Sequence, residues 1–386
     1  MCQSGWSTDI PDIFDETCKP AKIGSETINC LMYADDLILI SETEDGLQKC
    51  LNKLAEYVER WQLSINIKKT KIIIFQRGGR LPCTIFYLGN QIVEKVKQYK
   101  YLGTIISYTG NFAANEVNLK KKGLRASYLI LKTIGMNSKP STSIKIFEKI
   151  VEPILLYNCE VSLAYMPKTW NLDKFKNKLW DTGEEVNKVV LSFLRQILGI
   201  HKKSPTLPTL AEVGKYPLCV KIFITIVKYW VRISSSENRL LAAAKQSILT
   251  QNMKGKQNWL KMVEYLFNIT NITQHPTLNK SSNDRLIITF KRNIKTEYER
   301  WWRLQMQSIE SKKYDFFYKY KKNYKFENYL DYIPRQIRLF TTRLRTSSHN
   351  LPVETMRYIK DKPDWEDRKC DICNINVVGD EHHYLL

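Results

Sequence analysis

Two adjacent carboxylates, Asp35 and Asp36, lie between apolar runs in the stretch Cys30-Leu31-Met32-Tyr33-Ala34-Asp35-Asp36-Leu37-Ile38-Leu39-Ile40. The flanking residues suit a half-buried pleated surface, so the stretch reads as a β-hairpin with both aspartates at its turn. Like charges this close repel, and a hard cation such as Mg²⁺ offsets that repulsion through carboxylate oxygens. The chemistry that uses such a pair is phosphoryl or nucleotidyl transfer, in which two metals about 4 Å apart clamp the attacking and leaving oxygens. The alternative is a surface turn whose aspartates simply face water, because a dipeptide alone is a weak signal.

A second chemical group closes the chain. Cys370-Asp371-Ile372-Cys373 is a close thiol pair, followed by His382 and His383. Thiols and imidazoles at such spacing ligate metal. The rival is a redox-active pair, but no thioredoxin-like βαβ pattern surrounds it.

These groups need elements to position them. Ser41-Glu42-Thr43-Glu44 reads as a capping box. Behind it Leu47, Cys50, Leu51, Leu54, Val58 and Trp61 recur at helical spacing, giving one apolar face through Trp61. Ile65 to Lys71 is a basic turn leading into the buried run Ile72-Ile73-Ile74-Phe75. Between Thr84 and Ser107 the pattern gives strand Ile85–Leu88, a Gly89-Asn90 turn, strand Ile92–Val96, and a hairpin over Tyr99–Ile106. Beyond residue 115 the pattern turns helical: Asn118–Thr133, Ser143–Ala164 kinked at Pro153, Val186–Leu198 and Leu218–Ile233, with a loop at Lys202–Tyr216. Ser234-Ser235-Ser236 marks a boundary.

The 386 residues suffice for two or three domains, and 43% hydrophobic content excludes wholesale disorder. The net charge of +21 is uneven. Residues 1–50 hold three Lys against ten Asp or Glu, a net of −7, so the remainder carries +28. A long basic body suits a polyanion, since counterion release drives such binding. Lys312 to Phe326 interleaves six lysines with seven aromatics. That pattern serves single-stranded nucleic acid, or equally an amphipathic helix that buries its rings. A membrane surface or bare solubility would also explain the basicity, but no stretch approaches 18 consecutive apolar residues, so no spanning helix and no membrane partner are expected. The scattered cysteines form no secreted disulfide framework, so an intracellular protein, in cytoplasm or nucleus, is expected.

Tyr33-Ala34-Asp35-Asp36 with its apolar flanks resembles the catalytic hairpin of reverse transcriptases. Residues 41–107 resemble the rest of that palm, most closely in the polyproteins of non-LTR (LINE-like) retrotransposons. The implied fold is α+β, a partial antiparallel β palm with a packed helix, followed by a mainly α-helical thumb and C-terminal region. The implied segments are a palm at 1–107, a thumb at 108–233, a basic helical region at 234–369 and a zinc knuckle at 370–386.

The resemblance also implies roles. Asp35 and Asp36 are Mg²⁺ ligands, and Lys68 or Lys69 neutralises the leaving pyrophosphate, with Lys69 the candidate acid. Tyr33 lines the substrate site. Lys100-Tyr101-Leu102-Gly103 resembles the primer-grip hairpin, so Lys100, Tyr101 and Gly103 hold the primer end. Lys120, Lys121, Lys122, Lys202 and Lys203 touch phosphates. Cys370, Cys373 and His383 match three ligands of a Cys-Cys-His-Cys knuckle, with His382 or water as a stand-in for the fourth. The parent reaction is RNA-directed DNA synthesis, with an RNA template, a DNA primer and deoxynucleotides as partners. Asp9, Asp12 and Asp15 lie too close to the hairpin to supply the family's other palm aspartate, so the chain alone is expected to be inactive. The alternative is a non-catalytic nucleic-acid-binding remnant.

Overall fold

The computed structural model describes residues 10–76, 78–135, 138–163, 179–181, 184–254, 258–307, 312–373 and 375–385. It is a mixed α/β structure in two compact units that interleave in sequence. One comprises residues 1–115, 229–264 and 275–283; the other comprises 116–228, 265–274 and 284–386.

In the first unit, three two-stranded antiparallel sheets accompany one three-stranded sheet. Strands β1 (Ala21–Ile23) and β2 (Glu26–Ile28) form a hairpin, as do β3 (Cys30–Tyr33) and β4 (Asp36–Leu39). Helix α1 (Glu44–Arg60) follows, capped by Thr43, whose hydroxyl accepts from Gly46 N at 3.0 Å. The cap is therefore Thr43 and not Ser41; Ser41 Oγ instead donates to Cys18 O at 2.7 Å. Gly46 is required here, because a Cβ would lie 2.5 Å from that same Cys18 oxygen.

Helix α1 serves two cores. Leu51 and Leu54 pack with Ile72, Phe86, Leu88 and Val93. Cys50 and Tyr57 pack with Ile10, Phe14 and Cys18. Burying each large apolar side chain contributes on the order of 2 kcal/mol. The apolar face stops short of Trp61, which is the C-cap and is 54% exposed.

Strands β5 (Lys71–Ile72), β6 (Phe86–Leu88) and β7 (Gln91–Lys95) form a sheet in the order β5-β7-β6. β6 and β7 are antiparallel, but β5 pairs β7 in parallel, so this sheet departs from the all-antiparallel expectation. The parallel pair spans only two residues and is reached through the long connection 73–90, which contains β6. Gln48 of α1 bonds both Tyr87 O (2.8 Å) and Tyr87 N (2.9 Å), fixing β6 against the helix. Strands β8 (Gln98–Tyr101) and β9 (Thr104–Ser107) complete the set.

The second unit is helical. α2 (Ala113–Ile134) leads into it, followed by α3 (Pro140–Leu155) and the single turn α4 (Cys159–Ser162). Pro153 sits in the last turn of α3, and the chain does not continue as one kinked helix: α3 ends at Leu155, and Asn158 at φ +54° precedes α4. Ala164 lies outside the described residues. The segment 202–216 is not all loop, since α5 (Glu184–Leu198) is followed by α6 (Thr206–Glu212). Pro205 stands at the N-cap of α6 and Pro208 within its first turn, where a missing N–H costs little.

Rings fill the core of this unit. Tyr298 lies 5.1 Å from Trp180 and 5.4 Å from Tyr324, and Trp302 lies 5.3 Å from Tyr324. Within 312–326, Phe316, Phe317 and Tyr324 are buried. Lys321, only 1% exposed, bonds Glu327 Oε1 at 2.5 Å. Those rings are core, and they are not a stacking platform. Among the described residues, no helix is long and apolar enough to cross a membrane.

Candidate functional site

The β3–β4 hairpin closes at the Tyr33↔Asp36 pair, leaving Ala34 and Asp35 as a two-residue turn. Ala34 has φ +54°, the left-handed conformation that tight hairpin turns demand. A non-glycine residue there costs about 1–2 kcal/mol, which the flanking strands must offset. They do so from one face: Leu37 and Leu39 of β4 pack on the α1 cores. The turn itself is open, with Tyr33, Asp35 and Asp36 all exposed.

Among the described residues, no third carboxylate, cysteine or histidine joins Asp35 and Asp36 closely enough to form a ligand group. Asp15 is engaged elsewhere, 2.7 Å from Lys53 Nζ. That hydrogen bond, helped by one from Thr17, holds the Asp15 carboxyl down at about 2. Asp12 lies in a short 3-10 turn at Ile10–Ile13, and Asp9 lies outside the described residues.

The β8–β9 hairpin turns at Leu102 and Gly103, with φ +43° and +83°. Positive φ at both central positions matches the right-handed twist of the strands. Beyond this turn Asn115 Oδ1 accepts from Ile105 N at 3.0 Å, a tie that no sequence pattern signals. The Tyr101 phenol has its pKa raised, first by burial and then by the Asp36 carboxylate. The Asp36 carboxylate on one hairpin thus acts on the Tyr101 phenol of the other through charge.

Lys100 is exposed, as are Lys68 and Lys69 in the turn before β5. The Tyr99 hydroxyl donates to Lys69 O at 2.8 Å, fixing that turn's backbone. In the second unit, Lys120 Nζ lies 2.6 Å from Glu185, and this carboxyl is held below its ordinary range by Lys120 and then Lys188. Lys121 is exposed and Lys122 half-buried; Lys202 and Lys203 are exposed.

At the chain's end, Cys370 Sγ, Cys373 Sγ and a ring nitrogen of His383 lie within 4.8 Å of one another. Cys373 Sγ is 3.2 Å from His383 Nε2. A tight loop shapes the thiol pair. Ile372 N and Cys373 N both donate to Cys370 Sγ at 3.4 Å, and Cys370 N donates to Val377 O at 2.9 Å. The Tyr384 hydroxyl beside it, with those two amides, pulls the Cys370 thiol down to about 6, so the thiolate is favoured near neutrality. His382 does not stand in as a fourth ligand. Its ring packs edge-on against Phe316 at 5.4 Å, because on the short helix α7 (Glu381–Leu385) adjacent residues face different ways. Tyr384 and Asp371 were not signalled by spacing; only their adjacency to His383 and Cys370 hinted at them.

Residues 9–106 match the family model described as reverse transcriptase (RNA-dependent DNA polymerase). This segment is reverse-transcriptase sequence of the non-LTR retrotransposon kind. The Pol polyprotein of the type-2 retrotransposable element R2DM of Drosophila melanogaster is 31% identical over 103 residues, covering 25% of this chain and 10% of that protein. The RNA-directed DNA polymerase from mobile element jockey, also of Drosophila melanogaster, is 24% identical over 151 residues, covering 36% and 16%. A transposon-derived protein of Caenorhabditis elegans is 24% identical over 184 residues, covering 46% and 60%. The chain thus spans between a tenth and a sixth of the length of the first two of these relatives.

Proposed function

We propose that residues 10–115 form the part of a reverse-transcriptase palm that carries the metal-binding hairpin and holds the primer end. The basic remainder binds template and primer. The observation that supports this reading best is the exposed Asp35–Asp36 turn of the β3–β4 hairpin, whose Asp36 carboxylate helps raise the Tyr101 phenol of the β8–β9 hairpin.

Asp35 and Asp36 offer hard, solvent-facing oxygens that fit Mg²⁺. Bound there, the ion supplies charge neutralisation for phosphoryl oxygens. Tyr101 and Lys100 orient the primer's terminal hydroxyl, with Gly103 allowing close backbone approach. Tyr33 borders the same space, and Lys68 or Lys69 neutralises the departing pyrophosphate. Residues 116–228 serve as a thumb, where Lys121 and Lys122 contact phosphates that fix register without reading sequence. Cys370, Cys373 and His383 fit Zn²⁺, since two thiolates and an imidazole are three borderline-soft donors of a tetrahedral shell. An intracellular setting suits the eight described cysteines, all free thiols.

A second reading, nucleic-acid binding without catalysis by this chain alone, is favoured by one observation. A two-metal site needs a further carboxylate facing the pair, and none joins Asp35 and Asp36 among the described residues. Primer extension on an RNA template, with Mg²⁺ and then Mn²⁺, separates the readings. The 386-residue chain should bind template–primer and leave it unextended. Extension that disappears in Asp35→Ala would show that the site is complete and would overturn the second reading.

A further inference from the structure

We propose that Tyr384 and Asp371 are positioning residues for the Cys370–Cys373–His383 centre, holding the cysteine loop and the histidine helix in register for the ion. The inference rests on the metal reading above and concerns residues outside the ligand set.

The two halves of the centre come from different local structures. Cys370 and Cys373 lie on a loop framed by the Lys369↔Val378 bridge, and Ile372 at its tip is 80% exposed. His383 lies on α7, a helix of one turn whose backbone is tied by His383 N donating to Asp380 Oδ1 at 2.9 Å. A one-turn helix has no stability of its own, so something must hold it to the loop.

Tyr384 does this. Its hydroxyl donates to Asp371 Oδ1 at 2.6 Å and lies 3.3 Å from Cys370 Sγ. The contact to sulphur uses a ligand atom and changes when the thiol gives up its proton to bind an ion. The bond to Asp371 does not. It joins helix to loop through atoms that no ion engages, so it persists in both states. The donors are therefore assembled before the ion arrives, which lowers the ordering cost of binding. The Asp371 carboxylate also adds negative charge beside a site that takes a cation. Partners of this kind are worth roughly 10–100-fold in metal affinity.

The test is a competition titration of the full chain with Zn²⁺ against a chromophoric chelator, in the parent, Tyr384→Phe and Asp371→Asn. Each substitution should weaken Zn²⁺ by about 10–100-fold, and the double variant by no more than the stronger single. With Co²⁺ at saturation, the thiolate-to-cobalt charge-transfer band should keep its parent intensity in both variants, because both thiolates still bind. Variants within twofold of a zinc-binding parent would overturn the inference. So would a variant whose charge-transfer band is lost at saturating Co²⁺, since the residue would then be a ligand or essential to the fold. A parent chain that takes up no Zn²⁺ would instead overturn the metal reading on which the inference depends.

Discussion

Lys120 and Lys121 are neighbours in sequence but do different work in the structure, and salt dependence separates them. Lys120 Nζ is 2.6 Å from the Glu185 carboxylate, so its charge is already spoken for. Lys121 faces solvent. Each phosphate neutralised by a lysine contributes about −0.9 to the slope of log K against log salt on double-stranded DNA. Replacing Lys121 by Ala should therefore make the slope shallower by about 0.9. Between 50 and 200 mM salt, log salt changes by about 0.6, so the affinity lost by the parent and kept by the variant is about three- to fourfold per contact. Lys120→Ala should leave the slope unchanged within error and cost up to about 1 kcal/mol of stability, since it removes a part-exposed ion pair. The assay is fluorescence anisotropy of a labelled duplex over a salt series, with thermal melts of each variant. A Lys120 variant that loses as much slope as the Lys121 variant would refute the assignment. A parent chain with no salt dependence would refute nucleic-acid binding by the basic body altogether.

Gly214→Ala should lower the thermal midpoint by several degrees, because φ is +59° and a Cβ would lie 2.4 Å from Phe326 N; an unchanged melt would mean that the 214–326 contact is not formed in solution. Asp15, held at about 2 chiefly by its hydrogen bond from Lys53, has a folded-state pKa below its unfolded value. Its stabilisation is therefore present above about pH 4 and lost as pH falls towards 2, and carboxyl ¹³C titration should show this pKa rising toward the ordinary range in Lys53→Ala. Removing zinc with a chelator should expose Cys370 and Cys373 to alkylation, read by peptide mass spectrometry, while the buried Cys50 and Cys219 stay unreactive.

Much of the first unit was legible because its signals are local. Alternating apolar residues around Asp35-Asp36, around Gly89-Asn90 and around Leu102-Gly103 all became hairpins at those positions. The β1–β2 hairpin was also written in the chain, as Ile23-Gly24-Ser25-Glu26 with Gly24 at φ +62°, but its three-residue strands are too short to stand out. What depended on tertiary partners was not legible. Thr43 rather than Ser41 caps α1 because Cys18 O captures the Ser41 hydroxyl from 23 residues away. Three rings of 312–326 became core, with Phe317 against Arg345 and Tyr324 against Tyr298 and Trp302, while Tyr320 stays exposed, and composition does not reveal such neighbours. At the candidate site, residue types announced the carboxylates and thiols. The effect of Asp36 on Tyr101 and the Tyr384–Asp371 tie needed coordinates.

Asp35 and Asp36 are proposed above to hold a divalent cation at the β3–β4 turn, near the β8–β9 turn. Iron(II) takes the place of Mg²⁺ at such oxygen sites and, with ascorbate and peroxide, cuts the backbone within a few residues of where it binds. Applied to the full chain, the reaction should cleave near residues 33–37 and again near 101–103. Mg²⁺ should compete it away, and Asp35→Ala with Asp36→Ala should abolish it. Cleavage absent from both turns, or undiminished in that double variant, would mean that Asp35 and Asp36 hold no divalent cation there.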